Sequence, residues 1–600
     1  MCGIVGYIGF ENAADFMLEG LSKLEYRGYD SAGIAVIGPD NVIKVQKKVG
    51  RLANLEAVVK ADPNPGHVGI GHTRWATHGR PSDMNAHPHT DAKGLFAVVH
   101  NGIVENYLPI KEELIAKGYE FKSETDTEVV AHLLADLYDG DFEGTVRRML
   151  DRIEGSYSLV ITCADDPSRI ICTKQDNPLV IGLGKGENFI ASDIPAIINR
   201  TRDTYILNDG EVAIVTADSV AISDRAGHPI EKEIYHVTWN AEAAEKGGYE
   251  HFMLKEIYEQ PKAIRDTLTG RISKDNTEVV YEELNWTPDD VASINRVLIT
   301  ACGTAYHAGL VAKYYIEQLA RIPVEVDIAS EYRYRNPLTD KNTLAIVISQ
   351  SGETSDTLAA LKEAKRLGAR TLAITNVVGS SISREADQVI YTWAGPEIAV
   401  ASTKAYTTQL VALLLLAVYL GQLNGKLDSG LAQRILTDLH KLPTLCHEIF
   451  EGVDDIKSFA RNYGFREDAF FLGRSIDYAV AMEGSLKLKE ISYIHAEAYA
   501  GGELKHGTLA LIEEGVPVIG LATQEDVREK MMSNIKEVKA RDAVVIGVGV
   551  DGDTELAKYV DHTIFVPKAD KYTVPILAVI PLQLLAYYAA ITRGDDVDEP

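Results

Sequence analysis

The chain has 600 residues, too many for one hydrophobic core, and this length predicts roughly three to four domains. Its content of 46% hydrophobic and 24% charged residues is typical of a globular protein and excludes the disordered class. With 87 acidic against 60 basic residues the formal net charge is −27, which makes nucleic acid and anionic membranes poor candidate partners.

The first part of the chain, up to about residue 240, reads as a mixed α/β layer domain. No basic stretch precedes the apolar residues at the N-terminus, so it does not resemble a secretory signal. Met17, Leu21 and Leu24 lie on one face of a predicted helix. Short β-rich runs are separated by Gly, Pro and Asp, and they predict strands at Gly3–Ile8, Ala32–Ile37, Val68–His72, Phe96–His100 and Ser156–Thr162.

The next segment, residues 241–289, is polar and helical in pattern and is interpreted as a linker. Beyond it, apolar strand runs alternate with helical patterns, as in a parallel sheet covered on both faces. The pattern occurs over residues 290–428 and again over 455–595, with similar elements at similar offsets. A duplicated domain is therefore predicted, and two unrelated α/β domains are the alternative.

Apolar runs and cysteines in the chain favour a cytoplasmic protein. Leu410–Leu420 is too short to span a bilayer, and Pro581 and Gln583 interrupt the apolar C-terminal stretch. Five scattered cysteines without CxxC spacing indicate a reducing compartment, with no disulfide framework and no structural zinc.

Cys2 follows the initiator Met, and its small side chain suits removal of that Met. Processing would leave an α-amine beside a thiol, so that one residue supplies both a nucleophile and its general base. A small residue near a terminus is the simpler interpretation of Cys2 alone. Five motifs change this: LEYRGYDSAG from Leu24, GHTRWATHG from Gly71, NAHPH from Asn85, HNGIVEN from His100 and SETDTEV from Ser123.

Together these motifs resemble the class II glutamine amidotransferase domain, and the match covers residues 2–220. The resemblance implies an N-terminal-nucleophile αββα sandwich in which Cys2 forms a γ-glutamyl thioester. Asn101 and the Gly102 N–H become the oxyanion hole. Residues implied to bind glutamine or line its pocket are Arg74, Trp75, Thr77, His78 and Asp126. A zinc cluster of His72, His78, His87 and His89 was the alternative, but their spacing fits no known ligand pattern, and no metal or cofactor is expected.

In the C-terminal half, SQSGETSDT (from Ser349) follows a strand run and precedes a helix. Hydroxyls and free amides at a helix N-terminus bind an anion without net positive charge, although a helix cap is the simpler role for a lone SxxT. With ACGT (from Ala301) and VASTKA (from Val400), the motif resembles the sugar isomerase (SIS) domain. This implies two doubly wound parallel-sheet α/β/α domains and contacts to fructose 6-phosphate from Cys302, Gly303, Thr304, Ser349, Gln350, Ser351, Thr354, Val400 and Ser402. Position 305 departs from the family, which commonly has Ser where this chain has Ala.

The second copy places Glu483, Lys487 and Glu490 on one helical face. Spacing alone favours a solvent-facing ladder of ion pairs. The SIS resemblance instead implies that Glu490 moves a proton between C1 and C2, that Lys487 assists at the sugar oxygens and that His506 opens the sugar ring. In that family the His reaches the neighbouring subunit's site, so a homodimer or larger assembly is expected. Thr508 replaces a usual Pro with little chemical consequence.

The two halves together resemble the glutamine-dependent glucosamine-6-phosphate synthase family. This implies conversion of fructose 6-phosphate and L-glutamine to glucosamine 6-phosphate and glutamate. Members carry a short tail beyond the equivalent of Pro600 with a Schiff-base Lys, so a chain truly ending there is expected to make little amino sugar. A retained Met1 would likewise block the Cys2 amine.

Other amidotransferases are less consistent with the acceptor half. Asparagine synthetase would need an ATP-binding SGG loop, and glutamate synthase would need iron–sulfur cysteines. A phosphoribosyl amidotransferase would need paired acids before a phosphate loop. We find none of these motifs in the acceptor half of the sequence. A phosphosugar sensor would bind the sugar without ammonia transfer, and a deglycase would have no use for a glutaminase half.

Overall fold

The computed structural model describes residues 2–25, 28–75, 79–237, 246–464 and 466–600. The chain divides into two units, residues 1–244 and 245–600. The first unit contains helices α1 (Ala13–Ser22), α2 (Leu52–Ala61), α3 (Tyr107–Ala116), α4 (Thr127–Leu137) and α5 (Phe142–Leu150). Its strands are β1 (Gly3–Ile8), β2 (Ser31–Ile37), β3 (Ile43–Val49), β4 (Val68–Arg74), β5 (His89–Thr90), β6 (Phe96–Val104), β7 (Gly155–Cys163), β8 (Ile170–Gln175), β9 (Val180–Leu183), β10 (Asn188–Ala191), β11 (Asp203–Ile206), β12 (Val212–Val215), β13 (Val220–Ser223) and β14 (Tyr235–His236).

Two antiparallel sheets form the centre of the first unit. Their strand orders are β14-β11-β9-β10-β1-β4-β2-β3 and β13-β12-β8-β7-β6-β5. Apolar side chains from both sheets, including Ile4, Ile70 and Val99, form one core between them. Helices α1 and α2 cover the outer face of the first sheet, and α3, α4 and α5 cover that of the second. The predicted αββα sandwich is therefore confirmed.

The second unit contains two parallel sheets of the same topology. The orders are β16-β15-β17-β18-β19 and β21-β20-β22-β23-β24. The first repeat is built from β15 (Arg296–Ala301), β16 (Val324–Ile328), β17 (Thr343–Ser349), β18 (Arg370–Thr375) and β19 (Gln388–Tyr391). The second is built from β20 (Asp468–Gly473), β21 (His495–Ala500), β22 (Pro517–Leu521), β23 (Val544–Val550) and β24 (His562–Val566). In both repeats the first strand is second from the edge, as a duplicated doubly wound domain requires.

The helices of this unit pack around one large apolar core and around smaller apolar clusters. They are α6 (Phe252–Tyr258), α7 (Gln260–Leu268), α8 (Pro288–Ala292), α9 (Gly303–Leu319), α10 (Ala329–Tyr332), α11 (Ser355–Arg366), α12 (Ser381–Glu385), α13 (Lys404–Leu423), α14 (Ser429–Leu439), α15 (Leu442–Glu451), α16 (Val453–Tyr463), α17 (Ile476–Ser492), α18 (Arg528–Lys539) and α19 (Val574–Arg593). Met253 of α6 and Ile264 of α7 are fully buried in that core. The described part of the segment interpreted as a linker thus contributes packed helices.

Helices α13 and α19 are long and apolar enough to cross a membrane, but 89% of each apolar window is buried inside the chain. The expected interruption of the C-terminal stretch does not occur, because α19 continues through Pro581. Gln583 is fully buried there. Its amide accepts a hydrogen bond from Gln260 Nε2 (2.9 Å) and donates one to the Thr403 carbonyl (3.2 Å), so it joins three helical segments.

Candidate active site

Cys2 immediately precedes the first residue of strand β1, and its thiol lies beside the last residues of β4. The register pairs Gly3 with Thr73, which brings the residue before β1 close to the chain following β4. The backbone N–H of Trp75 donates to Cys2 Sγ across 3.2 Å. The indole itself is 41% exposed. A hydrogen bond to sulfur stabilises a thiolate, which is the form that attacks carbonyl carbon.

A glycine in the first motif makes this geometry possible. A Cβ atom at Gly28 would lie 2.6 Å from the carbonyl carbon of Arg74 and 2.7 Å from the nitrogen of Trp75. Only a residue without a side chain allows the chain to pass so close to the backbone that contacts the thiol. This close approach explains why position 28 of the motif is Gly, a role that the sequence alone did not reveal.

Asn101 and Gly102, predicted to form an oxyanion hole, lie on β6 next to Cys2. Asn101 Nδ2 donates to the Cys2 carbonyl oxygen across 3.0 Å. Gly102 has a φ of +125°, and a Cβ there would be 2.1 Å from the Ser156 carbonyl oxygen. Position 102 therefore requires glycine for both conformation and space.

The remaining glutamine-pocket residues are only partly within the described residues. Arg74 is buried, its Nη2 donates to the Gly79 carbonyl (3.1 Å), and burial lowers its pKa against the opposing influence of nearby Cys2 and acids. Asp126 is also buried and accepts the Val104 N–H across 2.8 Å. Thr77 and His78 lie outside the described residues.

Four of the buried histidines among the described residues of the first unit lie on or beside strands β4, β5 and β6: His72, His87, His89 and His100. His72 and His87 stack with centroids 4.2 Å apart, and His87 and His89 meet edge to face. Burial lowers the pKa of His72 to about 3 and that of His87 and His89 well below its usual range. The three rings are therefore neutral at physiological pH.

In the second unit, an open cleft of about 170 Å³ lies at the carboxyl ends of the first repeat's strands. Hydroxyls, one thiol and amides dominate its lining, as suits a sugar phosphate bound without net positive charge. Its walls are Cys302, Thr304, Ala305, Ile348, Ser349, Gln350, Ser351, Thr354, Thr357, Ser402 and Gln409. Seven of the nine residues predicted to contact the sugar are among them, and Gly303 and Val400 are not. Thr357 and Gln409 are residues that sequence reasoning missed.

Hydrogen bonds made by its own hydroxyl groups fix the conformation of the loop between β17 and α11, which lines this cleft. Ser349 Oγ accepts the Gly352 N–H across 3.0 Å and lies 3.0 Å from Thr354 Oγ1. Helix α11 begins at Ser355, so its N-terminus adjoins the cleft. That end carries partial positive charge, which favours a bound phosphate.

Carboxyl groups hold the segment that carries Val400 and Ser402. Glu397 accepts hydrogen bonds from Ser402 Oγ (2.8 Å) and the Thr403 N–H (2.9 Å). Glu256 accepts the Ile398 N–H across 2.6 Å, and burial raises its pKa well above the usual value. The Val400 N–H donates to the Asp598 carbonyl oxygen (3.1 Å).

A chain of polar contacts joins the cleft to the predicted isomerase residues. Thr304 Oγ1 donates to Glu483 (3.0 Å), Glu483 lies 3.8 Å from Lys487 Nζ, and Lys487 donates to Glu490 across 2.6 Å. Glu483 and Lys487 are 0% and 1% exposed as side chains. The interpretation of a solvent-facing ladder is therefore wrong for these two residues. Burial lowers the pKa of Lys487, but Glu490 and Glu483 outweigh it and the pKa is raised.

His506 lies apart from this chain of contacts. It ends a short 3-10 helix, Gly501–His506, and it is exposed. Within the described residues, His506 does not line the cleft of the first repeat.

In the second repeat, the loop that corresponds to the one after β17 is occupied by a carboxylate of the protein itself, that of Asp477. Asp477 is the second residue of α17, as Thr304 is of α9. The buried Asp477 side chain accepts the N–H groups of Thr523 (2.8 Å) and Gln524 (3.3 Å), which follow β22. These amides correspond to those after β17 in the first repeat.

Comparison with known proteins agrees with this architecture. A family described as "Glutamine amidotransferase domain" matches residues 72–199, and "SIS domain" matches residues 290–419 and 466–593. A protein of Caldanaerobacter subterraneus subsp. tengcongensis named glutamine–fructose-6-phosphate aminotransferase (isomerizing) is 58% identical over 600 residues, covering 100% of this chain and 98% of its own length. The chain belongs to the glutamine–fructose-6-phosphate aminotransferase (isomerizing) family.

A second member of this family matches over the same length. The Clostridium tetani protein of the same name is 56% identical, again over 100% of this chain and 98% of its own length. Among solved structures, the C-terminal domain of the Francisella tularensis glucosamine-fructose-6-phosphate aminotransferase is 39% identical. It covers 59% of this chain and 100% of its own, with a TM-score of 0.57. The two SIS matches confirm the predicted duplication in the family fold.

Proposed function

We propose that this chain hydrolyses L-glutamine at Cys2 and transfers the ammonia to D-fructose 6-phosphate, giving D-glucosamine 6-phosphate and L-glutamate. One observation carries the proposal. A single polypeptide combines a thiol that accepts the Trp75 N–H, with the Asn101 amide bound to the carbonyl of the same cysteine, and a hydroxyl-lined cleft suited to a sugar phosphate. The names of its relatives support the pairing of glutamine with fructose 6-phosphate.

In the glutaminase half, the Cys2 sulfur attacks the glutamine side-chain carbonyl and its proton passes to the free α-amine of the same residue. Negative charge then develops on the carbonyl oxygen, where the Asn101 amide and the Gly102 N–H donate. The C–N bond breaks, and ammonia leaves with a proton from the α-ammonium. Water hydrolyses the thioester to glutamate. Arg74 holds the substrate α-carboxylate and Asp126 its α-ammonium. Trp75, Thr77 and His78 are assigned to the same pocket on the family resemblance alone.

In the acceptor half, the loop Ser349–Thr354 with Cys302, Gly303, Thr304, Val400 and Ser402 holds the sugar phosphate. Ring opening by His506 exposes the C2 carbonyl, and ammonia adds there with loss of water. Glu490 then carries a proton from C1 to C2, since a carboxylate can take and return the same proton. Lys487, which donates to Glu490, assists at the sugar oxygens.

A homodimer or larger assembly is part of the proposal, because His506 is exposed in the single chain. A second copy would supply it to the cleft. Mixing a Glu490→Gln variant with a His506→Ala variant tests this, since each is inactive alone and hybrids regain one intact site. A mixture that stays inactive, or an active His506→Ala variant, contradicts the shared site. A reducing compartment such as the cytoplasm suits the five free thiols.

The reaction is tested by product analysis with glutamine and fructose 6-phosphate. Glutamate and glucosamine 6-phosphate should form in equal amounts. Binding of fructose 6-phosphate without any turnover would instead indicate a sensor. Glutamate without amino sugar would place the failure in the acceptor half.

A further inference from the structure

The side chain of His72 bridges the two sheets directly behind the nucleophile. His72 lies on β4 of the first sheet, and Asn101 lies on β6 of the second. His72 Nε2 is 3.0 Å from Asn101 Oδ1 and 3.0 Å from the His100 carbonyl oxygen. Both neighbours are hydrogen-bond acceptors, so Nε2 must carry the proton.

The ring of His72 has little freedom to change this role. It is 0% exposed, and burial lowers its pKa to about 3, so it stays a neutral Nε2–H tautomer. Its Nδ1 has no hydrogen-bond partner among the described residues. One face stacks on His87, whose Nδ1 accepts the His100 backbone N–H across 3.3 Å. The position of the His72 ring, its Nε2–H tautomer and its Asn101 acceptor are therefore all fixed by the surrounding packing.

A donor at this position decides which way the Asn101 amide points. With Oδ1 bound to His72, the NH₂ group faces Cys2, where one hydrogen reaches the Cys2 carbonyl at 3.0 Å. The second hydrogen is left for an oxygen at the substrate carbon. A reversed amide would place NH₂ against the His72 N–H and lose both contacts, leaving buried donors unpaired.

We propose that His72 is a positioning residue that holds the Asn101 amide in the orientation that stabilises the oxyanion. The inference rests on the proposed function, because it gives Asn101 its task. It assigns to His72 no contact with substrate and no proton transfer.

The experiment compares His72→Leu, which removes the donor, with His72→Gln, whose amide can place a donor near the Nε2 position. We expect kcat for glutamine hydrolysis to fall about 100-fold in His72→Leu, as for loss of an oxyanion donor, with KM changed less than about threefold. His72→Gln should recover most of this loss. The exposed His228→Leu is the matched control.

Two further readouts separate positioning from general damage. Glutamate γ-semialdehyde adds the Cys2 S–H across its carbonyl and gives a tetrahedral adduct whose oxygen occupies the oxyanion position. Its affinity should fall by the same factor as kcat. Alkylation of Cys2 by iodoacetamide needs no oxyanion hole and should keep its wild-type rate.

Each outcome decides the matter. If His72→Leu does not fold, His72→Asn, whose shorter amide cannot reach Asn101, should be impaired and His72→Gln active; equal activity of these two overturns the inference. Unchanged semialdehyde affinity in an impaired variant also overturns it. An Asn101→Ala variant that retains full glutaminase activity would refute the oxyanion role of Asn101 and with it this inference, whereas a wild-type enzyme that releases no glutamate from glutamine would refute the proposed function.

Discussion

Thr304 of the first SIS repeat donates a 3.0 Å hydrogen bond to Glu483 of the second. The same carboxylate accepts His307 Nδ1 at 2.8 Å and lies 3.8 Å from Lys487. One fully buried acid therefore connects the wall of the sugar cleft with the base and ammonium proposed for the isomerisation. If the assigned residues form one site, both repeats contribute to it.

The charge of Glu483 should matter more than its size. We expect Glu483→Gln to lower the free energy of unfolding by about 1–3 kcal/mol, because a buried ammonium loses one of two counter-charges. Amino-sugar synthesis should fall at least tenfold, since Lys487 loses its fixed position, while glutaminase activity stays unchanged. Thermal unfolding and separate assays of glutamate and amino sugar measure this. The exposed Glu513→Gln is the control, and equal synthesis rates in all three proteins would refute the role of Glu483.

Gly102 should tolerate no side chain. Gly102→Ala would place a methyl group 2.1 Å from the Ser156 carbonyl in a backbone conformation that L-residues rarely adopt. We expect loss of about 1–3 kcal/mol of stability and of at least 100-fold in glutaminase rate, because the Gly102 N–H moves. The control is Gly94→Ala. Gly94 has a φ of +68°, and a Cβ built there would have no neighbour within 4 Å, so this variant measures backbone strain without a collision. A Gly102→Ala enzyme with normal glutaminase activity would contradict the assigned donor.

The sequence predicted the layers and much of the candidate site because their signals are local. Alternating strand runs and Gly/Pro punctuation located β1 and β4, and the motif order identified Cys2 and Asn101. Contacts set by the fold were not predictable in this way. Helical spacing placed Glu483 and Lys487 on one face, but only the packing of α17 shows that this face is buried. The partnership of His72 with Asn101 depends on two sheets that meet face to face.

Ala305 offers a gain-of-function test. Ala305 lines the cleft, where the resemblance to the SIS domain led us to expect Ser. An Ala305→Ser variant adds a hydroxyl beside the proposed sugar phosphate, and one hydrogen bond of about 0.5–1.5 kcal/mol should lower KM for fructose 6-phosphate roughly two- to tenfold. Ala305→Gly, which adds no hydroxyl, should not lower it. A KM that is unchanged or raised in Ala305→Ser would show that position 305 does not face the substrate.

Asp477 should make stability depend on pH. Burial raises its pKa to about 6, against opposing hydrogen bonds from Thr523 and Gln524. The folded state thus favours the protonated acid, and this contribution is complete below about pH 4 and is lost as pH rises through about 6. Relative to Asp477→Asn, wild-type stability should fall by about 2 kcal/mol between pH 4 and pH 7. Melting temperatures across this range measure it, with the exposed Asp551→Asn as control. A difference that does not vary with pH would contradict the raised pKa.

The central proposal is that the Cys2 thiol releases from the glutamine side-chain amide the nitrogen that enters the amino sugar. Its most direct test is the rate of glucosamine 6-phosphate formation from glutamine and fructose 6-phosphate in Cys2→Ala, whose small side chain still suits Met removal. We predict that this variant forms no amino sugar from glutamine, while fructose 6-phosphate still binds with wild-type affinity. Formation at the wild-type rate would contradict it.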